Sequence, residues 1–167
     1  MGVASGATAA EASDGPSLMA RALRALARRE HTRAELARRL APHASDPEAL
    51  AAVLDACATR GWLDEQRAAE AHVRRRGEAM GSARLRAELR ERGVSGEALD
   101  AALQPLAATE AERARALWAR RFGTAPRDAA ERARQMRFLA ARGFAADVVR
   151  RTVPPVSPGG DATEATD

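Results

Sequence analysis

One six-residue pattern returns three times along this chain. Glu35-Leu36-Ala37-Arg38-Arg39-Leu40 aligns with Glu88-Leu89-Arg90-Glu91-Arg92-Gly93, and both align with Phe138-Leu139-Ala140-Ala141-Arg142-Gly143, at offsets of 53 and 50 residues. A period of this length marks tandem supersecondary units, each too small for a full core alone and stabilised by stacking on its neighbours. Around each copy the apolar residues fall at helical spacing between capping residues and glycines. Each unit therefore reads as three helices, with the Leu-x-x-Arg segment closing the middle one.

Local signals predict nine helices. Ser17 caps a first with Met19, Ala22, Leu23 and Leu26 inward, and Thr32 and Glu35 form a capping box for a second with Leu36 and Leu40. Asp46-Pro47 opens a third, carrying Leu50, Val53, Leu54 and Cys57 and stopped by Gly61. Asp64 caps a fourth through Val73, Gly81-Ser82 starts a fifth with Leu85 and Leu89, and Ser95 caps a sixth with Leu99, Leu103 and Leu106. A second capping box, Thr109 to Glu112, opens a seventh, Pro126 an eighth stopped at Gly143, and a ninth holds Val148 and Val149. About a quarter of the residues are Ala, Tyr is absent, and Val, Phe and Trp are scarce, which excludes a sheet protein. The expected fold is all-α: three tandem three-helix repeats (18–61, 62–107 and 108–153) in an elongated, curved body. Residues 1–16 and 154–167, small, polar and Pro/Gly-rich, are expected as disordered tails.

Several function classes are excluded. The single cysteine allows no internal disulfide and no thiolate zinc site, and Cys57 lies on the apolar stripe of its helix as a core residue. No apolar run is long enough to span a membrane, and the first residues lack a basic and apolar leader, so the cytoplasm is the expected compartment. His31, His43 and His72 are scattered, and no phosphate-binding glycine loop, nucleophile elbow or metalloprotease motif occurs, so no catalytic residue, cofactor or metal is expected. Trp62, Trp118, Phe122, Phe138 and Phe144 read as core. Trp62, beside Arg60, is the best placed of them to stack on a nucleobase.

The positive signal is arginine. All 27 basic residues are Arg, and all lie within 18–153 against 18 acids, a surplus of nine. Such a body suits a polyanion or an acidic protein surface. Some arginines fit helix-surface pairs, Glu70 with Arg74 and Glu88 with Arg92. The surplus concentrates as Arg74, Arg75 and Arg76, and as Arg84, Arg86, Arg90 and Arg92. Arg120, Arg121, Arg134 and Arg137 follow in the third unit.

The segments Gly61-Trp62-Leu63-Asp64-Glu65, Leu89-Arg90-Glu91-Arg92-Gly93-Val94 and Arg137-Phe138-Leu139-Ala140-Ala141-Arg142-Gly143-Phe144 resemble, in order, the RecX family of recombination regulators. Leu26-x-x-Arg29 and Thr32-x-x-Glu35-Leu36-x-x-x-Leu40 fit as well, and the likeness spans residues 18–153. One departure is Ala68, followed by Ala69, where the family usually has an aromatic. The resemblance implies tandem three-helix repeats. It also implies binding to the RecA filament on single-stranded DNA, with inhibition of its ATPase and strand exchange; a monomer without enzymatic activity is expected. The arginines named above are the expected contacts to RecA or DNA, by charge rather than by motif.

Two rival readings remain at the level of sequence. Residues 32–58 can form a helix–turn–helix of a transcription regulator, but the second helix carries Glu48 and Asp55 and no Arg to read a groove. A helical-repeat adaptor for an unrelated acidic protein is the other.

Overall fold

The computed structural model describes residues 15–156, so the expected tails fall outside it except for their innermost residues. Eight α-helices follow in order: α1 Leu18–Leu26, α2 Arg33–Leu40, α3 Pro47–Thr59, α4 Glu65–Arg76, α5 Ser82–Glu91, α6 Gly96–Arg121, α7 Ala129–Ala140 and α8 Ala146–Thr152. Among the described residues there is no strand, and no helix is long and apolar enough to cross a membrane. The caps sit where local chemistry asks for them. Ser17 Oγ accepts from the Ala20 N–H at 3.2 Å, Asp46 from Ala49 at 2.7 Å and Asp64 from Arg67 at 2.8 Å. The Thr32/Glu35 capping box is complete.

Three cores lie in chain order. The first joins Ala22 and Ala25 of α1, Leu36 and Leu40 of α2, and Leu54 and Cys57 of α3 with Leu63. The second gathers Ala69, Val73, Leu85, Leu89, Val94 and the first half of α6. The third gathers Ala114 and Leu117 of α6 with Leu139, Phe144, Val148, Val149 and Val153. Ala68 and Ala69 are both buried, so the small residues at the family's aromatic position are absorbed by the packing of α4.

The structure corrects the predicted helices at four places. The sixth and seventh are one continuous rod, α6, which passes through Pro105 and belongs to both the second and third cores. Thr109 caps nothing: its hydroxyl donates to Leu106 O at 3.4 Å inside the helix. Arg113 secures this stretch, its guanidinium donating to Leu106 O (3.0 Å), Gly77 O (2.6 Å) and Met80 O (2.5 Å). The eighth predicted helix starts three residues late, because Pro126 is buried in the loop and Asp128 caps α7 through Glu131 N–H at 2.7 Å. In α1 the inward face is turned, with Ala25 buried and Leu23 39% exposed, since the small Ala22/Ala25 face allows close helix approach. Trp62, read as core, is 42% exposed.

The recurring segment is the joint between units. Gly93, at φ +86°, places the end of α5 against the start of α2, where a Cβ would stand 2.6 Å from Ala34 Cβ. Arg92 O there accepts the Thr32 hydroxyl at 2.6 Å, and Arg92 pairs with Glu35. The next joint repeats the scheme. Gly143, at φ +79°, meets the start of α5, with Arg142 O accepting from Gly81 N–H (2.8 Å) and Gly143 O from Ala83 N–H (3.2 Å). The first helical N–H of α5 therefore needs no local cap, and Ser82 N–H goes to Glu110 of α6 at 3.0 Å. Leu40 replaces glycine in the first copy because no earlier unit docks there, and α2 runs on into a 3-10 turn, Ala41–His43.

Candidate functional site

The joint between the first two units builds an open cleft of about 630 Å³ among α2, α4 and α5. Its walls carry Arg38, Arg75, Arg76, Arg84 and Arg92, with Glu35, Glu88 and Glu91 between them and His72 at the base. Arg75, Arg76 and Glu88 have a reason in their own helices to be there. Arg75 and Arg76 end α4, where cations complement the helix dipole. Leu85 and Leu89 point α5 inward, and that turns Glu88 across to α4.

Glu88 organises this cleft. Its carboxylate accepts from His72 Nε2 (2.8 Å), Arg76 (2.9 Å) and Arg84 (3.2 Å). Burial pushes its carboxyl up, but the hydrogen bonds from Arg76, His72 and Arg84 outweigh that and hold it at about 2. An ionised carboxylate only accepts, so His72 carries its proton on Nε2. Burial lowers the His72 pKa, the hydrogen bond to Glu88 works against that, and Arg92 and Arg75 push it down further. Glu35 is likewise held low: burial raises it, and Arg29, the Thr32 N–H and Arg92 overcome that. These pairs lock Arg76, Arg84 and Arg92, while Arg38 and Arg75 have no ion pair among the described residues and face the opening.

Four of the sequence-predicted arginines thus converge here: Arg75, Arg76, Arg84 and Arg92. The others do not. Arg74 pairs with Glu70 on the exposed side of α4 (3.8 Å), as expected, and Arg86 with Asp100 at 3.0 Å. Arg90 is exposed away from the cleft. Arg121 lies over Phe122 and Phe138, whose rings meet edge to face, with Arg120 exposed next to it. Arg134 and Arg137 border a separate hollow with Arg127, and Arg134 pairs with Glu131 at 3.2 Å. The expected Glu88–Arg92 helix pair is replaced by cross-helix partners on both sides. His72, Arg38, Glu35 and Glu91 were missed. Only Glu35, through its capping box, carried a local signal; the others share a cleft solely through tertiary packing.

The remaining sequence candidates are structural. Cys57 is fully buried, its Sγ 3.9 Å from Met19 Sδ, and burial raises its thiol pKa. Trp118 is held by Nε1 donating to the buried Gln135 at 2.8 Å. No cluster of three or more potential metal ligands occurs among the described residues.

Three domains of three helices, joined end to end at a glycine turn and presenting an arginine-lined cleft at the first joint, define a class of helical-repeat protein. Family profiles place it further: RecX, first three-helix domain, at residues 19–57; second, at 64–103; third, at 108–153. The chain is 55% identical over 137 residues to the regulatory protein RecX of Leptothrix cholodnii, covering 82% of this chain and 87% of that one. It is 49% identical to that of Ralstonia nicotianae, covering 82% and 86%. The crystal structure of RecX from Lactobacillus salivarius superposes with a TM-score of 0.68 at 18% identity, covering 81% of this chain and 91% of that one. A second crystal structure of a regulatory protein RecX gives 0.71 at 21%, covering 81% and 70%, which extends the likeness of fold. The chain belongs to the RecX family.

Proposed function

We propose that this protein regulates recombination by binding the RecA filament on single-stranded DNA and suppressing its ATPase and strand exchange. It acts as a cytoplasmic monomer that needs no cofactor. The observation that carries this reading is the cleft at the first joint. Its rim offers the guanidiniums of Arg38 and Arg75, and its wall offers the exposed Glu91 carboxylate. A surface with both donors and acceptors suits a folded protein partner, whose side chains and backbone bring both. Because the cleft straddles two domains, a partner seated in it bridges them and favours one filament state over another.

The test is a titration of the protein into RecA hydrolysing ATP on single-stranded DNA. The wild type is expected to inhibit at substoichiometric ratios. Arg38→Glu/Arg75→Glu is expected to require at least tenfold more protein, on the order of 1.4 kcal/mol of binding. Absence of inhibition by the folded wild type overturns the proposal.

A further inference from the structure

The first domain holds a cluster of arginines that the cleft does not use. Arg21 and Arg24 of α1 and Arg28 in the turn that follows it come together, and Arg39 of α2 lies alongside with His43. Together they line a pocket of about 240 Å³, floored by Ala25 and Leu40. A second lobe of about 210 Å³ adjoins it, sharing Arg28 and Arg39 and adding Arg29 and His31. Neither lobe is lined by a carboxylate. Arg21 is positioned by its Nε donating to Pro16 O at 3.0 Å, and Arg29 is held by Glu35 at 3.1 Å. Arg24, Arg28 and Arg39 are exposed and have no ion pair among the described residues.

We infer that this two-lobed pocket binds successive phosphates of a nucleic-acid backbone. The chemistry separates it from the cleft. A polypeptide brings N–H donors that need acceptors, and the cleft supplies Glu91. A phosphodiester chain brings acceptors alone, and the five arginines that line the two lobes offer donors from planar forks suited to phosphate. His31 is buried, and its Nδ1–H donates to Arg29 O at 2.9 Å, which fixes the ring and leaves Nε2 as its acceptor. Two lobes that share Arg28 and Arg39 fit a strand passing from one to the next. The choice of single-stranded DNA as that strand rests on the proposed function; the phosphate chemistry does not.

The experiment measures binding of a fluorescent oligo(dT) to the full chain, without RecA, across a salt series. The wild type is expected to bind with a steep salt dependence. Arg24→Ala/Arg28→Ala/Arg39→Ala is expected to lose at least tenfold in affinity and to flatten the slope of log affinity against log salt by about 2, at ~0.7 per single-strand phosphate contact. The single variant Arg28→Gln is expected to lose about 0.7 of slope, and it covers the case of a misfolded triple variant. Arg115→Ala/Arg150→Ala, exposed in the third domain, is expected to leave both quantities unchanged. An unchanged slope in the folded variants, or no oligo(dT) binding by the wild type at low salt, overturns the site. So does displacement of oligo(dT) by polyglutamate as readily as by unlabelled oligo(dT), which would assign the pocket to an acidic peptide. Variant-sensitive DNA binding by a wild type that leaves RecA's ATPase untouched supports the pocket while overturning the proposed function.

Discussion

Gly143 and Gly61 share a left-handed backbone, at φ +79° and +70°, yet they answer to different constraints. A Cβ at Gly61 meets nothing within 4 Å, whereas at Gly143 it would stand 2.4 Å from Arg84 N. Gly61→Ala is therefore expected to cost only the backbone strain, about 1 kcal/mol. Gly143→Ala must also push two domains apart and is expected to cost at least ~3 kcal/mol; thermal melts of the two variants side by side check the ordering. A sequence shows the same letter at both places and cannot separate a turn from a joint. Glu88 makes a similar point. Its folded carboxyl is held at about 2 against an ordinary 4.5. A depressed carboxyl stabilises the fold fully above pH 4.5 and loses that contribution as pH falls toward 2. Glu88→Gln, which leaves Arg76 and His72 without their carboxylate, is expected to lower stability by about 1–2 kcal/mol at pH 7. The gap to wild type should close as urea unfolding is repeated at lower pH toward 2.

At the scale of elements, local signals were legible wherever a helix end carries its own cap. Ser17, Thr32, Asp46 and Asp64 were readable because a side chain three residues from the N–H it accepts makes a purely local bond. The end of α5 that carries Gly81 is different, since its N–H groups are satisfied by Arg142, Gly143 and Glu110 from distant sequence. The false break at Thr109 has the same origin. A capping box is a local option, and an Ala-rich helix with a core on each half outcompetes it. Arg113 is what holds that region to the turn at Gly77–Met80. Arg113→Ala strips a donor from three carbonyls and is expected to cost about 2–4 kcal/mol, measured by urea unfolding, with no change in the helices before Gly77.

Across the whole molecule, α6 joins the second and third cores covalently as one rod, while the first domain meets the second through side chains and one glycine turn. Leu103→Ala is expected to cost ~2–5 kcal/mol and to raise amide exchange in both the second and third domains. Leu36→Ala, in the first core, is expected to raise exchange there while α6 to α8 stay protected; uniform loss of protection in both variants would show a single cooperative unit instead. The sequence by itself determined that the chain is helical, that it repeats at about 50 residues, where most helices are capped, and that its surplus charge is arginine, because composition, periodicity and caps act over a few neighbouring residues. Tertiary structure alone decided which arginines share a cleft, why Glu88 reaches Arg76 and His72 rather than Arg92, and that Trp62 stays outside while Gly93 and Gly143 become joints. Those outcomes depend on distances between residues far apart in the chain, and such distances exist only once the domains have docked.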